Sequence, residues 1–147
     1  MNIKAILSPS NVSIGVEARD KCTLLKNLSS RAAGALGLAA DAVTNQIERR
    51  DELGSTGIGG GVSIPHARLR EVKKPFGLLA RLKEPIDFEA IDGQPVDIVF
   101  LLLLPAASQL DQLNALAAVA RKLRDPEVLR KLRGAVSTTA LYAAVSA

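Results

Sequence analysis

Apolar residues recur at helical spacing in two stretches of the first third of the chain. Residues 20–37 carry leucines and alanines at steps of three and four, and Gly37 stands where a helix would end. Residues 40–54 repeat the pattern with Val43 and Ile47 on one face and end at the next glycine. We therefore predict two helices in this part of the chain.

The middle of the chain has the pattern of strands. In residues 76–82 every second residue is apolar, as in a strand. Residues 96–104 form a near-continuous apolar run of strand length. Such a run is typical of a central strand that is covered on both faces. Asp92 and Gly93, between the two segments, are a turn signal.

The last third of the chain has the pattern of three helices. The first is predicted to begin at Ser108, because Ser108 and Asp111 have the spacing of a capping box. Its buried stripe is expected to consist of the apolar residues Leu113, Leu116, Ala120 and Leu123. Pro126 should end this helix, and two short helices should follow, over residues 126–134 and 137–147.

Helices at both ends with strands between them imply an α/β (α+β) fold with a sheet covered on both sides. The chain has 147 residues, which is enough for one domain with a proper core and too short to expect two. We expect a single domain over residues 1–147, built as a sandwich around a sheet of about five strands.

Composition argues against a membrane protein. The longest apolar run, residues 98–104, is far shorter than the ~20 residues of a membrane-spanning helix, and residues 1–16 lack the apolar core of a secretory signal. Cys22 is the single cysteine, which excludes an internal disulfide and fits a reducing compartment. We expect a cytoplasmic protein with no membrane insertion.

The formal net charge of +4 raises the question of nucleic acid. In the most basic segment, residues 120–134, basic residues alternate with leucines as on the solvated faces of amphipathic helices. With 3 phenylalanines, 1 tyrosine and no tryptophan, the chain offers few platforms for stacked bases. Nucleic acid is therefore not expected as a partner; the alternative, a basic nucleic-acid-binding protein, predicts steeply salt-dependent binding to DNA.

Residues 54–69 contain five of the 11 glycines and the single histidine, His66. The glycine spacing fits neither a dinucleotide fingerprint nor a P-loop. One histidine and one cysteine are too few ligands for a structural zinc ion, so we expect no metal. Ser63 lacks the G-x-S-x-G surroundings of a hydrolase nucleophile.

The glycines point to an anion site. The glycines of this cluster, Gly57, Gly59, Gly60 and Gly61, allow left-handed backbone and close approach, so that several N–H groups can converge on an anion. Ile64 precedes a proline and is biased to extended dihedrals, which fixes the direction in which His66 leaves the short predicted strand 62–65. The histidine should then be held stiffly above the glycines.

An imidazole in this position can act as a nucleophile. It can attack through one nitrogen while the other donates a hydrogen bond that sets the tautomer. A phosphoryl group is a suitable electrophile, because its transfer needs mainly positioning and charge stabilisation, and Arg50 is a candidate for that charge. The alternative is that His66 is an ordinary polar residue at a strand end and that the glycines form only a flexible turn.

Three segments carry a resemblance to a known family. Residues 49–69, 82–105 and 116–135 resemble, in the same order, the type-2 enzyme IIA components of the bacterial phosphoenolpyruvate-dependent phosphotransferase system, the fructose and mannitol class. The "STGIG" to "IPHA" segment is the most specific part, and the nearest branch is that of the nitrogen-regulatory IIA proteins. The resemblance implies a mixed-sheet sandwich in which His66 accepts a phosphoryl group from an HPr-type phosphocarrier, as a tele-phosphohistidine, without metal or organic cofactor.

The resemblance also implies further site residues. Arg50 matches a family arginine before "GSTG", and the hydroxyls of Ser55 and Thr56 are candidate donors to the phosphoryl group, with the backbone of Gly59, Gly60 and Gly61. Family members often carry a second histidine where this chain has Gln112. Gln112 can donate a hydrogen bond to a phosphoryl oxygen but cannot carry a positive charge; the alternative is a polar residue in an exposed first turn.

For the nitrogen branch the resemblance implies a free-standing regulator. Its phosphorylation state would control nitrogen- or potassium-related targets, such as kinase or transporter subunits. The alternative within the family is a stand-alone IIA component that passes the phosphoryl group to a sugar-specific IIB subunit. A different class is a binding module for which phosphorylation is only a switch. Whether transferase chemistry or regulation is the main role is left open.

Overall fold

The computed structural model describes residues 2–147, which form a mixed sheet between two layers of helices. The strands in chain order are β1 (Leu7–Val16), β2 (Gly57–Gly59), β3 (Val62–Ser63), β4 (His66–Leu69), β5 (Phe76–Ile86) and β6 (Val96–Pro105). The helices are α1 (Lys21–Leu36), α2 (Ala40–Glu52), α3 (Gln109–Arg124), α4 (Pro126–Gly134) and α5 (Thr138–Ser146), and a 3₁₀ turn, Ile3–Ala5, precedes β1.

Strand β6 is the centre of the sheet. It pairs antiparallel with β5 on one side, and β5 in turn pairs parallel with β1. On its other side β3 and β4 lie one after the other, both parallel to β6, and β2 pairs antiparallel with β3. The mixed sheet is confirmed, with six strands rather than about five.

The additional strand arises at Pro65. A proline has no N–H to give to a ladder, so the pairing is interrupted there. Its carbonyl still accepts a hydrogen bond from Leu102 N at 2.8 Å, which keeps the chain beside β6. His66 is therefore the first residue of a new strand and not, as the sequence suggests, a residue beyond the end of one.

The near-continuous apolar run of β6 is explained by burial on both faces. Leu101 and Leu103 pack in one core cluster with α1 and α2, while Leu102 and Leu104 pack in a second cluster with α3, α4 and α5. Successive side chains of a strand point to opposite faces, so both sets must be apolar.

The helix ends lie where the local signals place them. Gly37 follows α1 in the left-handed conformation, with φ +68°. Ser108 Oγ accepts a hydrogen bond from Asp111 N at 3.2 Å, and Ser137 Oγ accepts one from Ala140 N at 3.1 Å. Within residues 2–147 none of the helices combines the length and apolar composition of a membrane span.

Helix α3 buries a stripe that only partly overlaps the predicted one: Leu123 is buried as predicted, and Leu116 and Ala120 are partly buried against the core. Leu113, expected in the core, is 68% exposed. The buried residues of α3 are Gln112, Ala115, Val119 and Leu123. The helix carries apolar residues on two overlapping stripes, and the one with smaller side chains faces the sheet.

Candidate functional site

His66 lies in a cleft of about 440 Å³ between α2 and α3. The cleft is lined by β4 and β6 at its base, by α2 and the adjoining Leu53 on one wall, and by α3 on the other. Three arginines line it, Arg49, Arg50 and Arg68, and among residues 2–147 no Asp or Glu does. This composition suits an anion.

The backbone fixes the tautomer of the imidazole. Nδ1 of His66 lies 2.8 Å from the carbonyl oxygen of Ile64. A carbonyl oxygen can only accept, so Nδ1 carries the proton and Nε2 the lone pair. Among the described residues Nε2 has no hydrogen-bond partner. The ring is thus prepared to react through Nε2.

Burial lowers the pKa of His66 below its ordinary value. The hydrogen bond to the Ile64 carbonyl opposes this effect, while the positive charges of Arg50 and Arg68 add to it. The imidazole is therefore neutral at cellular pH, as a nucleophile must be.

The segment before β2 is held by its own hydrogen bonds. Ser55 Oγ donates to the carbonyl of Phe88 at 2.8 Å, and Thr56 Oγ1 is buried 3.1 Å from Ser63 Oγ. The carbonyl of Thr56 accepts a hydrogen bond from Ile64 N at 2.9 Å. Neither hydroxyl is among the groups that line the cleft. Thr56 instead orients Ile64, whose carbonyl holds the imidazole.

The glycine amides do not lie beside the imidazole, contrary to the sequence-based expectation. Gly59, Gly60 and Gly61 do have positive φ, at +94°, +67° and +80°. However, Val62 is in register with Ile98 and His66 with Leu102, which places them four residues apart along β6, or about 13 Å. The extended residues 62–65 carry the histidine away from the loop.

The glycine loop is instead tied to other parts of the fold. Gly60 N donates to Asp92 Oδ2 at 3.0 Å, and the carbonyl of Gly60 accepts from Arg133. Arg133 also forms two hydrogen bonds with Asp97, at 3.0 and 3.1 Å. These contacts join the loop to α4 and to the start of β6.

Gln112 lines the cleft but is only 8% exposed, so the exposed first turn considered from the sequence is wrong. Its Nε2 donates to the carbonyls of Pro105 at 3.0 Å and Ala106 at 3.4 Å. The side chain fastens the turn between β6 and α3, because its amide satisfies two carbonyls that end the strand.

Arg49 and Arg68 are site residues that the sequence reasoning missed. Arg68 follows His66 by two positions in β4, so both side chains leave the same face of the strand. Within residues 2–147 neither arginine pairs with a carboxylate. Asp51, which follows Arg50, instead forms a salt bridge with Lys21 of α1, with 2.7 Å between Asp51 Oδ2 and Lys21 Nζ.

The residues that the structure describes contain no group of three or more His, Cys, Asp or Glu side chains placed to hold a metal ion. Cys22 is free and exposed on α1, outside the cleft.

Comparison with known proteins links this geometry to one family. The family model described as "Phosphoenolpyruvate-dependent sugar phosphotransferase system, EIIA 2" matches residues 5–147. A "Nitrogen regulatory protein" of Bradyrhizobium diazoefficiens is 42% identical over 146 residues, which cover 99% of this chain and 95% of that protein. The predicted resemblance is confirmed.

Two solved structures share the fold. Nitrogen regulatory protein IIA-Ntr from Neisseria meningitidis aligns with a TM-score of 0.90 at 31% identity, over 95% of this chain and 96% of that one. Enzyme IIAMTL of Escherichia coli, solved in complex with phosphorylated enzyme IIBMTL, aligns with a TM-score of 0.79 at 14% identity, over 95% and 98%. The predicted fold class is confirmed.

Proposed function

Because the chain belongs to the EIIA 2 family of the phosphoenolpyruvate-dependent sugar phosphotransferase system, we propose that it accepts a phosphoryl group on His66 from an HPr-type phosphocarrier. The observation that carries the proposal is the hydrogen bond of Nδ1 to the Ile64 carbonyl, 2.8 Å long, in a cleft lined by arginines. It leaves Nε2 with the lone pair that the reaction needs.

The transfer is a displacement at phosphorus. The Nε2 lone pair forms the new N–P bond while the N–P bond of the carrier's phosphohistidine breaks and its electron pair returns to the carrier's imidazole. The proton on Nδ1 stays in its hydrogen bond to Ile64, so the phosphorylated ring of His66 forms as an imidazolium. The carrier's phosphohistidine reacts with its other ring nitrogen protonated, so that its ring leaves as a neutral imidazole and the charges balance. The product is the tele-phosphohistidine.

The protein's contribution is orientation and charge. Arg50 and Arg68 line the same cleft as His66 and lower its pKa, so their positive charges also act on the negative charge of the transferring group. Arg49 adds a third positive charge to the cleft. Thr56 and Gln112 act as positioning residues, through the Ile64 backbone and the turn after β6. Ser55 fixes the same loop through Phe88.

The output of the reaction is regulatory. A phosphoryl group brings a charge of about −1.5 to −2 into a cleft with three guanidinium groups and so changes what the surrounding face can bind. Targets such as kinase or transporter subunits would distinguish the two forms in the cytoplasm. The name of the relative that is 42% identical over nearly the whole chain supports this role over transfer to a sugar-specific IIB subunit.

The test is phosphorylation with purified components. The protein is incubated with phosphoenolpyruvate, enzyme I and the phosphocarrier, and the intact mass is measured. We expect one added phosphoryl group that is acid-labile and base-stable, with nitrogen-phosphorus coupling at Nε2. Labelling that persists in His66→Gln would overturn the assignment. Onward transfer to an added IIB subunit would favour the sugar-transport alternative.

A further inference from the structure

The last turn of α2, which brings Arg50 to the cleft, is fastened to α1 by an ion pair. Nζ of Lys21, the first residue of α1, lies 2.7 Å from Asp51 Oδ2. The side chains of Lys21 and Asp51 are only 21% and 12% exposed, so the pair is largely shielded from solvent. It lies next in the chain to a residue of the candidate site.

The Asp51 carboxylate depends on Lys21 for its neutralisation. Among residues 2–147 its other oxygen, Oδ1, is buried and has no hydrogen-bond partner. Burial opposes the charge of Lys21, yet the contacts with Asp51 and Glu89 outweigh it and raise the pKa of the ammonium above its ordinary value. Removal of this ammonium would leave a largely buried carboxylate without a partner, which is costly. The ion pair therefore holds the last turn of α2 in one position.

Backbone contacts connect Asp51 to the guanidinium of Arg50. The Asp51 carbonyl accepts a hydrogen bond from Gly54 N at 3.1 Å, and Arg50 Nη1 donates to the Gly54 carbonyl at 2.9 Å. The direction of the Arg50 side chain therefore depends on Gly54, and the position of Gly54 depends on Asp51. A guanidinium has several N–H donors, so this bond leaves others for an anion in the cleft.

Lys21 also reaches the loop between β5 and β6. Its Nζ lies 3.6 Å from Glu89 Oε1, and Glu89 has φ +54°, which is uncommon for a residue other than glycine. The preceding residue, Phe88, is buried, and its carbonyl accepts a hydrogen bond from Ser55 Oγ. Lys21 therefore contacts both the end of α2 and the loop that holds the connection from α2 to β2.

We propose that Lys21 is a positioning residue for phosphoryl transfer, because its ion pair with Asp51 sets the direction in which Arg50 points into the cleft. The inference rests on the proposed function, in which Arg50 stabilises the charge of the transferring group. Lys21 does not line the cleft, and the charges that act on the pKa of His66 are those of Arg50 and Arg68. An effect of Lys21 on the imidazole must therefore pass through an arginine, and Arg50 is the one connected to Asp51.

The first measurement is the NMR titration of His66, which needs no carrier. Arg50 lowers the pKa of His66, so Lys21→Met, which lets Arg50 move away from the ring, should raise the titration midpoint toward ~6.5. Lys21→Arg keeps the positive charge and should keep the wild-type midpoint. In an Arg50→Gln background, Lys21→Met should cause no further shift, because the guanidinium through which it acts is already absent.

The second measurement is the steady-state rate of phosphoryl transfer from the phosphorylated carrier. A misplaced Arg50 stabilises the transferring group less well, so we expect kcat to fall about fivefold in Lys21→Met while KM stays within about twofold. Lys21→Arg should restore most of the rate. In the Arg50→Gln background, Lys21→Met should lower kcat no further.

Lys83→Met is the matched control. Lys83 also forms an ion pair, with 3.0 Å between its Nζ and Glu17 Oε1, but neither residue lines the cleft. This substitution should leave the His66 midpoint, kcat and KM unchanged. Circular dichroism and thermal melting establish that the variants are folded. If Lys21→Met does not fold, the double variant Lys21→Met/Asp51→Asn, which leaves no carboxylate unpaired at this position, takes its place with the same expectations.

Four outcomes would overturn the positioning role of Lys21. They are an unchanged midpoint and kcat in Lys21→Met, effects that persist undiminished in the Arg50→Gln background, a Lys21→Arg variant as impaired as Lys21→Met, or a rise in KM with unchanged kcat. Failure of the proposed function is a separate result. Wild-type His66 would then take up no phosphoryl group from the carrier, while the titration midpoint would still show whether Lys21 positions Arg50.

Discussion

The imidazole of His66 and the carbonyl of Ile64, two residues earlier in the chain, are joined by a hydrogen bond of 2.8 Å. Pro65 stands between them, and its own carbonyl accepts a hydrogen bond from the backbone N–H of Leu102 in β6. The Ile64 amide is in turn bound to the carbonyl of Thr56. The tautomer of the nucleophile is therefore set by backbone that is itself paired on both sides.

The buried contact between Thr56 and Ser63 supports this arrangement, with the two hydroxyl oxygens 3.1 Å apart. Thr56→Val leaves the Ser63 hydroxyl buried without a partner, so we expect it to lower the free energy of unfolding by about 1–3 kcal/mol. The double variant Thr56→Val/Ser63→Ala removes both hydroxyls and should be more stable than Thr56→Val alone. Urea denaturation of the three proteins tests this order. A double variant that is less stable than the single one would contradict it.

The pH dependence of stability should report the buried imidazole. The pKa of His66 is lowered in the folded state, so the unfolded chain binds more protons between that pKa and the ordinary value of ~6.5. Stability is then complete above ~6.5 and is lost as pH falls from there through the folded pKa. Urea unfolding at several pH values should show this loss relative to His66→Gln. A wild type that gains stability on acidification, compared with the variant, would contradict the depressed pKa.

The same titration can be followed directly, because His66 is the single histidine of the chain. Its ring proton resonances should titrate with a midpoint below ~6.5. Phosphoryl transfer should accordingly continue at mildly acidic pH, where an ordinary imidazole would already be protonated.

Removing the Arg68 charge should affect both the pKa and the reaction. Because Arg68 lowers the pKa of His66, Arg68→Gln should move the titration midpoint upward. Loss of one charged donor to the transferring group should also slow phosphorylation about tenfold. Arg68→Lys keeps the positive charge, so it should preserve most of the lowered pKa of His66 and most of the phosphorylation rate.

Arg121→Gln is a suitable control for Arg68, because Arg121 is exposed nine residues after Gln112 on α3, about 13 Å along the helix. This substitution should leave both the titration midpoint of His66 and the rate of phosphorylation unchanged. An Arg68→Gln variant with an unshifted midpoint would show that the guanidinium does not face the imidazole.

The helix ends are predicted well from the sequence because capping residues mark them locally. Gly37, Ser108 and Ser137 mark helix ends through contacts within a few residues, so each can be recognised without the fold. Strand β1 has no such signal. Its register against β5 shifts twice, so its buried positions do not alternate and no strand is predicted there.

The candidate site is predicted only where the chemistry is local. His66 is recognisable from its neighbours in the chain, but the cleft around it is made by α2, β4 and α3 together. Arg68 could have been found from the two-residue period of a strand, had β4 been predicted. The exposure of Leu113 could not have been predicted from the sequence, because the apolar residues of α3 fit two stripes and only packing in the fold decides which one is buried.

The separation between the glycine loop and the imidazole gives a further prediction. Gly61 has φ +80°, and a Cβ there would lie 2.5 Å from Arg133 Nη2 and 3.0 Å from Asp97 Oδ1. Gly61→Ala must strain the backbone and displace the Arg133 side chain, so we expect a loss of about 2 kcal/mol in the free energy of unfolding. Because the loop lies about 13 Å along β6 from His66, the phosphorylation rate per folded molecule should stay within about twofold of wild type.

Gly34→Ala provides the comparison for Gly61→Ala, since Gly34 lies in α1 and an added Cβ there meets no atom within 4 Å. It should stabilise the protein slightly, because alanine is favoured over glycine in a helix by about 1 kcal/mol. Urea denaturation gives the stabilities, and single-turnover transfer from the carrier gives the rates. If Gly61→Ala instead lowers the rate more than tenfold while the protein remains folded, the loop takes part in the reaction. In that case the amides of Gly59, Gly60 and Gly61 must approach the phosphoryl group after all, by a movement that breaks the contacts of Gly60 with Asp92 and Arg133.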